Sequence, residues 1–251
     1  MWELDFITKE DFKKHVANTI KTYGVTLESI DIIKFNSNII DPIKLTFDSK
    51  VYKKEIEEVI IDEILRQRDK TNTNAIGYFH QNIFNYIKNC KIPKEGFDII
   101  YTSQDKIVYV EMKNKHNTMN SSSSQKTYMK MQNKILKEEN CECYLVEVIA
   151  TGSQNKIWNV TLDGEKFSNK RIRRVSIDKF YEEVTGNKKA FYLVCRELSN
   201  IIDEIISENK DKYTVKEDTV IKEIKLHNSD LLKSLYLLAF KTYEGFDEFQ
   251  N

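Results

Sequence analysis

The segment GFDIIYTSQDKIVYVEMKNKH, residues 96–116, predicts a β-hairpin. Residues 97–102 and 106–112 are rich in Ile, Val and Tyr, which favour strands. The polar stretch 103–105 between them is typical of a short turn. Apart from Lys106 at the turn, three charged side chains lie in these apolar strands or directly after them: Asp98, Glu111 and Lys113.

Strand alternation gathers those charges on one face of the hairpin. Successive side chains of a strand point to opposite faces, so Glu111 and Lys113 share a face. A two-residue turn at Gln104 and Asp105 places Asp98 opposite Glu111, with Cβ atoms roughly 4.5–5.5 Å apart. A three-residue turn would instead shift this register by one residue.

Two facing carboxylates repel each other, by an amount of the order of a few kcal/mol at an effective dielectric of about 20. A divalent cation between them removes that repulsion, and two carboxylates with a backbone carbonyl suit Mg²⁺. Lys113 would then lie just past the metal. An ammonium there can hold or help deprotonate a metal-bound water, and it can neutralise charge that develops on a phosphate. The structural alternative is that Asp98 caps a strand edge while Glu111 and Lys113 form a surface salt bridge.

The segments around the hairpin predict an α/β fold. Residues 74–90 predict a helix before the hairpin, and residues 122–140 and 143–150 predict a helix and then a strand after it. This order of helix, strand, strand, helix, strand makes a mixed sheet, because a crossover helix joins parallel strands. Further predicted elements are N-terminal helices from Thr8 to about Tyr23 and from Asp48 or Ser49 to about Arg68, strands in KIWNVTL and RIRRVSI, and C-terminal helices at about 177–184, 191–207 and 230–243.

The composition is that of an ordinary globular protein: 40% of the 251 residues are hydrophobic and 31% are charged. No apolar run approaches the roughly 18–20 residues that span a bilayer, and the N-terminus lacks a signal-peptide pattern, so we expect a cytoplasmic protein with no membrane partner. Four scattered cysteines favour reduced thiols. No stretch resembles a linker. We therefore expect a single domain, 1–251, with a catalytic core at about 73–162, an N-terminal helical part at about 1–72 and a C-terminal part at about 163–251.

Asp98 in GFDII, together with Glu111, Met112 and Lys113 in VEMKN, resembles the motif of the PD-(D/E)xK nuclease superfamily. That superfamily carries the motif on a helix, strand, strand, helix, strand core. The continuation EMKNKHNTMNSSSSQKTYMKMQNK, residues 111–134, more specifically resembles type II restriction endonucleases that cut GGNCC sites. The resemblance covers about residues 75–150.

The resemblance implies an endonuclease that hydrolyses double-stranded DNA with Mg²⁺ and leaves 5′ phosphates. Asp98, Glu111 and the carbonyl of Met112 would bind the metal, and Lys113 would position the attacking water. Phe97 replaces the proline of the motif, which matters little. Where the preceding helix often supplies a glutamate, this chain has His80 and Gln81. Either Gln81 acts as a neutral supporting group in the catalytic site or this helix contributes no group; we expect the first, and we expect His80 to be a packed helix residue.

The segment after Lys113 is a candidate DNA-facing surface, because residues 112–137 contain no Asp or Glu. A polar loop leads into a helix N-terminus, a favourable place for a phosphate. Three lysines then follow at i, i+4 spacing. The candidate DNA-binding residues are Lys115, His116, Asn117, Asn120, Ser121, Lys126, Tyr128, Lys130 and Lys134. The alternative is a flexible surface loop before an amphipathic helix.

Arg171 and Arg173 share a strand face and are further candidates, for binding guanine edges, whereas Arg174 points to the other face. A palindromic DNA site implies a homodimer. A cognate DNA methyltransferase would be a genetic companion only. Two rival functions remain: a structure-specific repair or junction nuclease of the same superfamily, and a non-enzymatic DNA-binding protein.

Overall fold

The structure, a computed structural model, describes residues 2–162, 164–209 and 213–240. It divides into two compact units. The first contains the described residues up to Ile20 and from Ala75 to Glu208, and the second those of Lys21–Asn74 and from Asn209 onward. The single endonuclease domain with a core at about 73–162 stays a prediction.

The strands lie in the middle of the chain, with helices before and after them and one helix between β3 and β4. The helices are α1 (Lys9–Leu27), α2 (Ile32–Ser37), α3 (Pro42–Tyr52), α4 (Ile56–Asn82), α5 (Ser121–Lys137), α6 (Ile177–Thr185), α7 (Ala190–Ser207), α8 (Val220–His227) and α9 (Leu231–Phe240), with a 3₁₀ turn at Ile83–Tyr86. The strands are β1 (Cys90–Lys91), β2 (Ile99–Thr102), β3 (Ile107–Lys115), β4 (Cys141–Ile149), β5 (Asn155–Leu162) and β6 (Glu165–Ser176).

One six-stranded mixed sheet forms the centre of the first unit, in the order β1-β2-β3-β4-β6-β5. Strand β2 pairs antiparallel with β3, whereas β4 runs parallel to both β3 and β6. The chain passes from β3 through α5 into β4, as a crossover between parallel strands requires. The predicted α/β class and the helix, strand, strand, helix, strand order are therefore confirmed.

The two faces of the sheet bury separate apolar clusters. Val108 and Val110 of β3 face a cluster that includes Phe12 of α1 and Phe180 of α6. The alternate residue Tyr109 faces a second cluster, to which α5 and Trp158 contribute. The sheet is thus covered by helices on both sides, and alternation along β3 decides which side each residue faces.

The helix boundaries before the sheet differ from the predicted ones. The capping contact at the start of α1 is as predicted, since the Asp11 N–H donates to Thr8 Oγ1 over 3.1 Å. The helix predicted from Asp48 or Ser49 to Arg68 is wrong. Asp41 caps α3 with Pro42 in its first turn, Lys53 ends that helix in the left-handed conformation, and α4 then begins at Ile56. The helix predicted for 74–90 is only partly correct: α4 continues to Asn82, a 3₁₀ turn follows at Ile83–Tyr86, and Cys90 already belongs to β1.

The second unit is helical and has its own core. Phe35, Ile60, Ile224 and Leu235 are buried in it together. Arg68 forms an ion pair with Asp218 over 2.8 Å, which joins α4 to the segment before α8. The final helix predicted for 230–243 corresponds to α9, and its last three positions lie outside the described residues. Helices α2 and α8 were not predicted. No described helix is both long and apolar enough to cross a membrane.

Candidate active site

The hairpin has the predicted register. Ile99 pairs with Val110 and Thr102 with Ile107, and the Ser103 N–H donates to the Lys106 carbonyl over 2.9 Å. This pairing leaves a two-residue turn, and it brings Asp98, immediately before β2, alongside Glu111. The Asp98 N–H donates to the Val110 carbonyl over 2.9 Å, so the contact between the strands continues to Asp98.

The two carboxylates lie in different surroundings. Asp98 Oδ2 accepts a hydrogen bond of 2.7 Å from the Met112 N–H, which fixes one oxygen and leaves the other for a ligand. Glu111 is buried, with 8% exposure. This burial raises the pKa of the Glu111 carboxyl, and the charge of Asp98 raises it further, while Lys130 and Lys113 lower it. The two carboxylates thus form an acidic pair whose negative charges repel each other.

Lys113 follows Glu111 on the same face of β3. It is half-buried, and its register partner on β4 is Glu147. Glu147 is 1% exposed and forms an ion pair with Arg174, whose guanidinium also donates to the His116 carbonyl over 3.0 Å. The catalytic lysine candidate is therefore flanked by Glu111 on its own strand and by the Glu147 pair on the next.

Gln81 reaches the hairpin from the end of α4. Its side-chain amide donates to the Asp98 carbonyl over 3.1 Å, so it contacts the backbone of the candidate metal ligand. The supporting role expected for Gln81 in the catalytic site stays a prediction. His80 packs edge-on against Phe79, and burial lowers its pKa to about 4.

Lys130 of α5 also contributes to the site, although the sequence predicted only a contact with DNA for it. Its ammonium forms an ion pair with Glu111 and donates to the Gly96 carbonyl over 2.6 Å. It also lies 4.5 Å from the centre of the Phe97 ring. The sequence signal was the i, i+4 spacing of the lysines, which placed Lys130 on a stripe but could not show which side chain it meets.

The oxygen atoms around Asp98 fit a hard divalent cation. The backbone of Met112 points towards β2, because its N–H bonds Asp98, and β2 begins only at Ile99. The N–H and C=O of one strand residue point to the same side, so the Met112 carbonyl also points to the β2 side, beyond the paired part of the hairpin. Two carboxylates with one carbonyl leave room for the waters that Mg²⁺ retains. Among the described residues, no group of three or more His, Cys, Asp or Glu side chains converges as a metal site.

The polar loop and α5 contribute the remaining DNA-binding candidates. The exposed ones are Lys115, His116, Asn117, Asn120, Ser121 and Lys126. Asn120 caps α5 by accepting from the Ser123 N–H over 2.8 Å. Lys134 forms an ion pair with Glu138, and its ammonium lies 4.1 Å from the centre of the Tyr109 ring.

Tyr128 does not lie on this surface, which corrects the expectation. It is 2% exposed and packs edge-on against Trp158, with ring centroids 5.4 Å apart. The physical reason is helical spacing: a residue two positions from Lys126 and Lys130 lies on nearly the opposite side of a helix with 3.6 residues per turn.

The arginines of β6 are engaged by other parts of the chain. The Arg171 guanidinium donates to the carbonyls of Ile135, Glu138 and Glu139 at the end of α5, with the shortest contact at 2.6 Å. Arg173 donates to the side chain and the carbonyl of Asn155. The structure therefore does not bring Arg171 to the candidate site as a free guanidinium.

The two cysteines of β4 lie on the sheet face that α5 covers, the same face as Tyr109. All four cysteines lie in the described part of the chain and are free thiols. Cys141 and Cys143 are both buried in the cluster with Tyr109, and burial raises the pKa of Cys143 to about 12.

Comparison with known proteins identifies the family of the chain. A model of the Eco47II restriction endonuclease family matches residues 4–207. The type II restriction enzyme Sau96I of Staphylococcus aureus is 32% identical over 217 residues, covering 83% of each chain. The type II restriction enzyme Eco47II of Escherichia coli is 26% identical over 215 residues, covering 82% of this chain and 89% of that one. The chain belongs to the Eco47II restriction endonuclease family, and the prediction of a type II restriction enzyme is confirmed.

Proposed function

We propose that this enzyme hydrolyses phosphodiester bonds of double-stranded DNA at a GGNCC-type site, uses Mg²⁺ and leaves 5′ phosphates. The observation that carries the proposal is the placement of Asp98 beside Glu111 across a hairpin, with Lys113 next on the same face. Family membership supports sequence-specific cleavage, and the resemblance of residues 111–134 to GGNCC-cutting enzymes supports the type of site.

Each group of the site has a proposed role. Asp98, Glu111 and the Met112 carbonyl would hold the metal, which would stabilise the charge that develops on the phosphate. Lys113 orients the attacking water in line with the phosphorus, and the 3′ oxygen leaves. Gln81 supports Asp98 through its carbonyl.

The surface that would hold DNA includes the exposed residues of the loop before α5 and the lysines of that helix. Lysine contacts with phosphates would supply affinity, whereas Asn117 and other polar side chains of the loop would contact base edges. We further propose a homodimer, because a palindromic site offers two equivalent strands to two active sites. A methyltransferase of the same specificity would protect the host DNA without contacting this enzyme.

Mapping the ends of plasmid fragments tests the reaction directly. We expect discrete bands that require Mg²⁺, with every end at one short sequence. Asp98→Asn, Glu111→Gln and Lys113→Met should each lower the cleavage rate by about 10²–10³-fold or more, because each removes a group that acts on the transition state.

Asp105→Asn is the matched control, because Asp105 is an exposed carboxylate in the turn of the same hairpin and should be dispensable. Cutting at structural features instead of a sequence would indicate a junction nuclease, and undiminished cutting by Glu111→Gln would contradict the mechanism.

A further inference from the structure

The ammonium of Lys130 lies in a small cation-binding environment built by the hairpin. Three groups surround it: the Glu111 carboxylate, the Gly96 carbonyl and the face of the Phe97 ring. A carboxylate, a carbonyl and an aromatic face each attract a positive charge. Lys130 therefore neutralises a carboxylate that we have proposed as a metal ligand.

Lys134, one turn further along α5, provides the comparison. Its ammonium also meets an aromatic ring and a carboxylate, those of Tyr109 and Glu138. Glu138 directly follows α5 and has no proposed part in the chemistry. The two lysines share a helix and a kind of environment, but only Lys130 contacts the acidic pair of the hairpin.

We propose that Lys130 is a positioning residue that occupies Glu111 in the metal-free enzyme and is released from it when the divalent cation binds. This inference rests on the proposed metal site. The released ammonium remains on the face of α5 next to the hairpin, where it can contact the phosphate backbone of bound DNA. One side chain thereby couples metal binding to DNA binding.

The coupling follows from charge. An ammonium and a divalent cation repel each other when both approach one carboxylate, so the metal has to compete with Lys130 for Glu111. Removal of the ammonium should strengthen metal binding in the absence of DNA. Because such coupling is reciprocal, DNA that binds the Lys130 ammonium should also raise the affinity of the site for the metal.

Titration of the full chain with Mn²⁺, without DNA, tests the competition. The unbound Mn²⁺ is measured by electron paramagnetic resonance. We expect Lys130→Met, which keeps an apolar stem over Phe97, to bind Mn²⁺ about tenfold more tightly than the unchanged enzyme. Lys130→Gln should do the same, whereas Lys130→Arg should retain the original affinity because it keeps the charge.

Lys134→Met is the matched control, with an expected change in Mn²⁺ affinity of less than about twofold, because this lysine contacts neither candidate ligand. Circular dichroism and thermal melts select the variants that fold. The inference is overturned if Lys130→Met and Lys130→Gln bind Mn²⁺ no more tightly than the unchanged enzyme does. It is also overturned if Lys134→Met raises the Mn²⁺ affinity as much as they do.

Glu111→Gln separates this inference from the proposed function. If Glu111→Gln binds Mn²⁺ as the unchanged enzyme does, Glu111 is not a ligand, and the proposed metal site fails together with the inference. If Glu111→Gln loses the metal while both Lys130 variants bind it with the original affinity, the metal site stands and only the inference fails.

Discussion

Arg171 is held by the end of a helix. Its guanidinium donates to three carbonyls at the end of α5, where the last carbonyls of a helix lack partners within the helix. A cation there also interacts favourably with the helix dipole. We expect Arg171→Met to lower the free energy of unfolding by about 1–3 kcal/mol, measured by urea denaturation, without changing the DNA sequence that is cut.

Arg196→Met is the control for Arg171→Met. Arg196 pairs with Glu3 and Glu197 at the surface, where an ion pair contributes about 0–1 kcal/mol. If Arg171→Met changed the DNA sequence that is cut and left the free energy of unfolding unchanged, Arg171 would instead be a residue that contacts the bases.

Single residues were predictable where local geometry decides their place. The neighbourhood of Asp98 and Glu111 followed from strand alternation and a two-residue turn, both of which depend on adjacent residues only. The contact of Lys130 with Glu111 depends instead on how α5 packs on the sheet, and the contact of Arg171 with α5 depends on the position of β6. Neither distance is contained in a sequence pattern.

At the scale of elements, α5 joins the acidic hairpin to the surface proposed for DNA. We expect Lys126, Lys130 and Lys134 changed together to Gln to weaken DNA binding and to flatten its dependence on salt. Each lost phosphate contact reduces the slope of log K against log salt by about 0.9. Fluorescence anisotropy with a short duplex at several salt concentrations measures this slope.

A variant of Lys188 and Lys189 is the control. These two exposed residues lie before α7, so the variant removes positive charge outside α5. A slope that stays the same in the α5 variant would exclude that helix from the interface. A slope that flattens equally in both variants would show that total charge, rather than α5, governs the affinity.

Element boundaries were less predictable than element types. The hairpin, the crossover helix and β4 were predicted because their periodicity changes sharply from two residues to 3.6 and back. The break between α3 and α4 was missed because it depends on Lys53 adopting a left-handed conformation, which a lysine adopts rarely and no local pattern announces.

At the scale of the whole molecule, two histidines of the first unit connect its stability to pH. His15 donates from Nε2 to the Phe79 carbonyl over 2.9 Å, and burial lowers the pKa of both His15 and His80 to about 4. In the unfolded chain a histidine has a pKa of about 6.5. The two histidines are therefore buried without a protonation cost above about pH 6.5. As the pH falls towards 4, the unfolded chain binds protons that the folded chain does not, and the free energy of unfolding decreases.

We expect the free energy of unfolding to decrease between pH 7 and pH 4, and His15→Gln to reduce this decrease by up to about 3 kcal/mol. Urea denaturation at several pH values measures it. His116→Gln, at an exposed histidine of the loop before α5, is the control and should leave the pH dependence unchanged. An identical pH dependence in His15→Gln would mean that His15 is equally easy to protonate in the folded and unfolded chains.

The site occupies a short part of the chain. Gln81, Asp98, Glu111, Lys113 and Lys130 all belong to the first unit and fall within the helix end, hairpin and crossover helix that follow one another in sequence. The loop before α5, which we propose to contact base edges, lies inside this same stretch, between the proposed hydrolytic groups and Lys130. Under this proposal, a change of cleavage specificity has to arise directly beside the reaction centre, through substitutions in the loop that leave the neighbouring strand and helix in place.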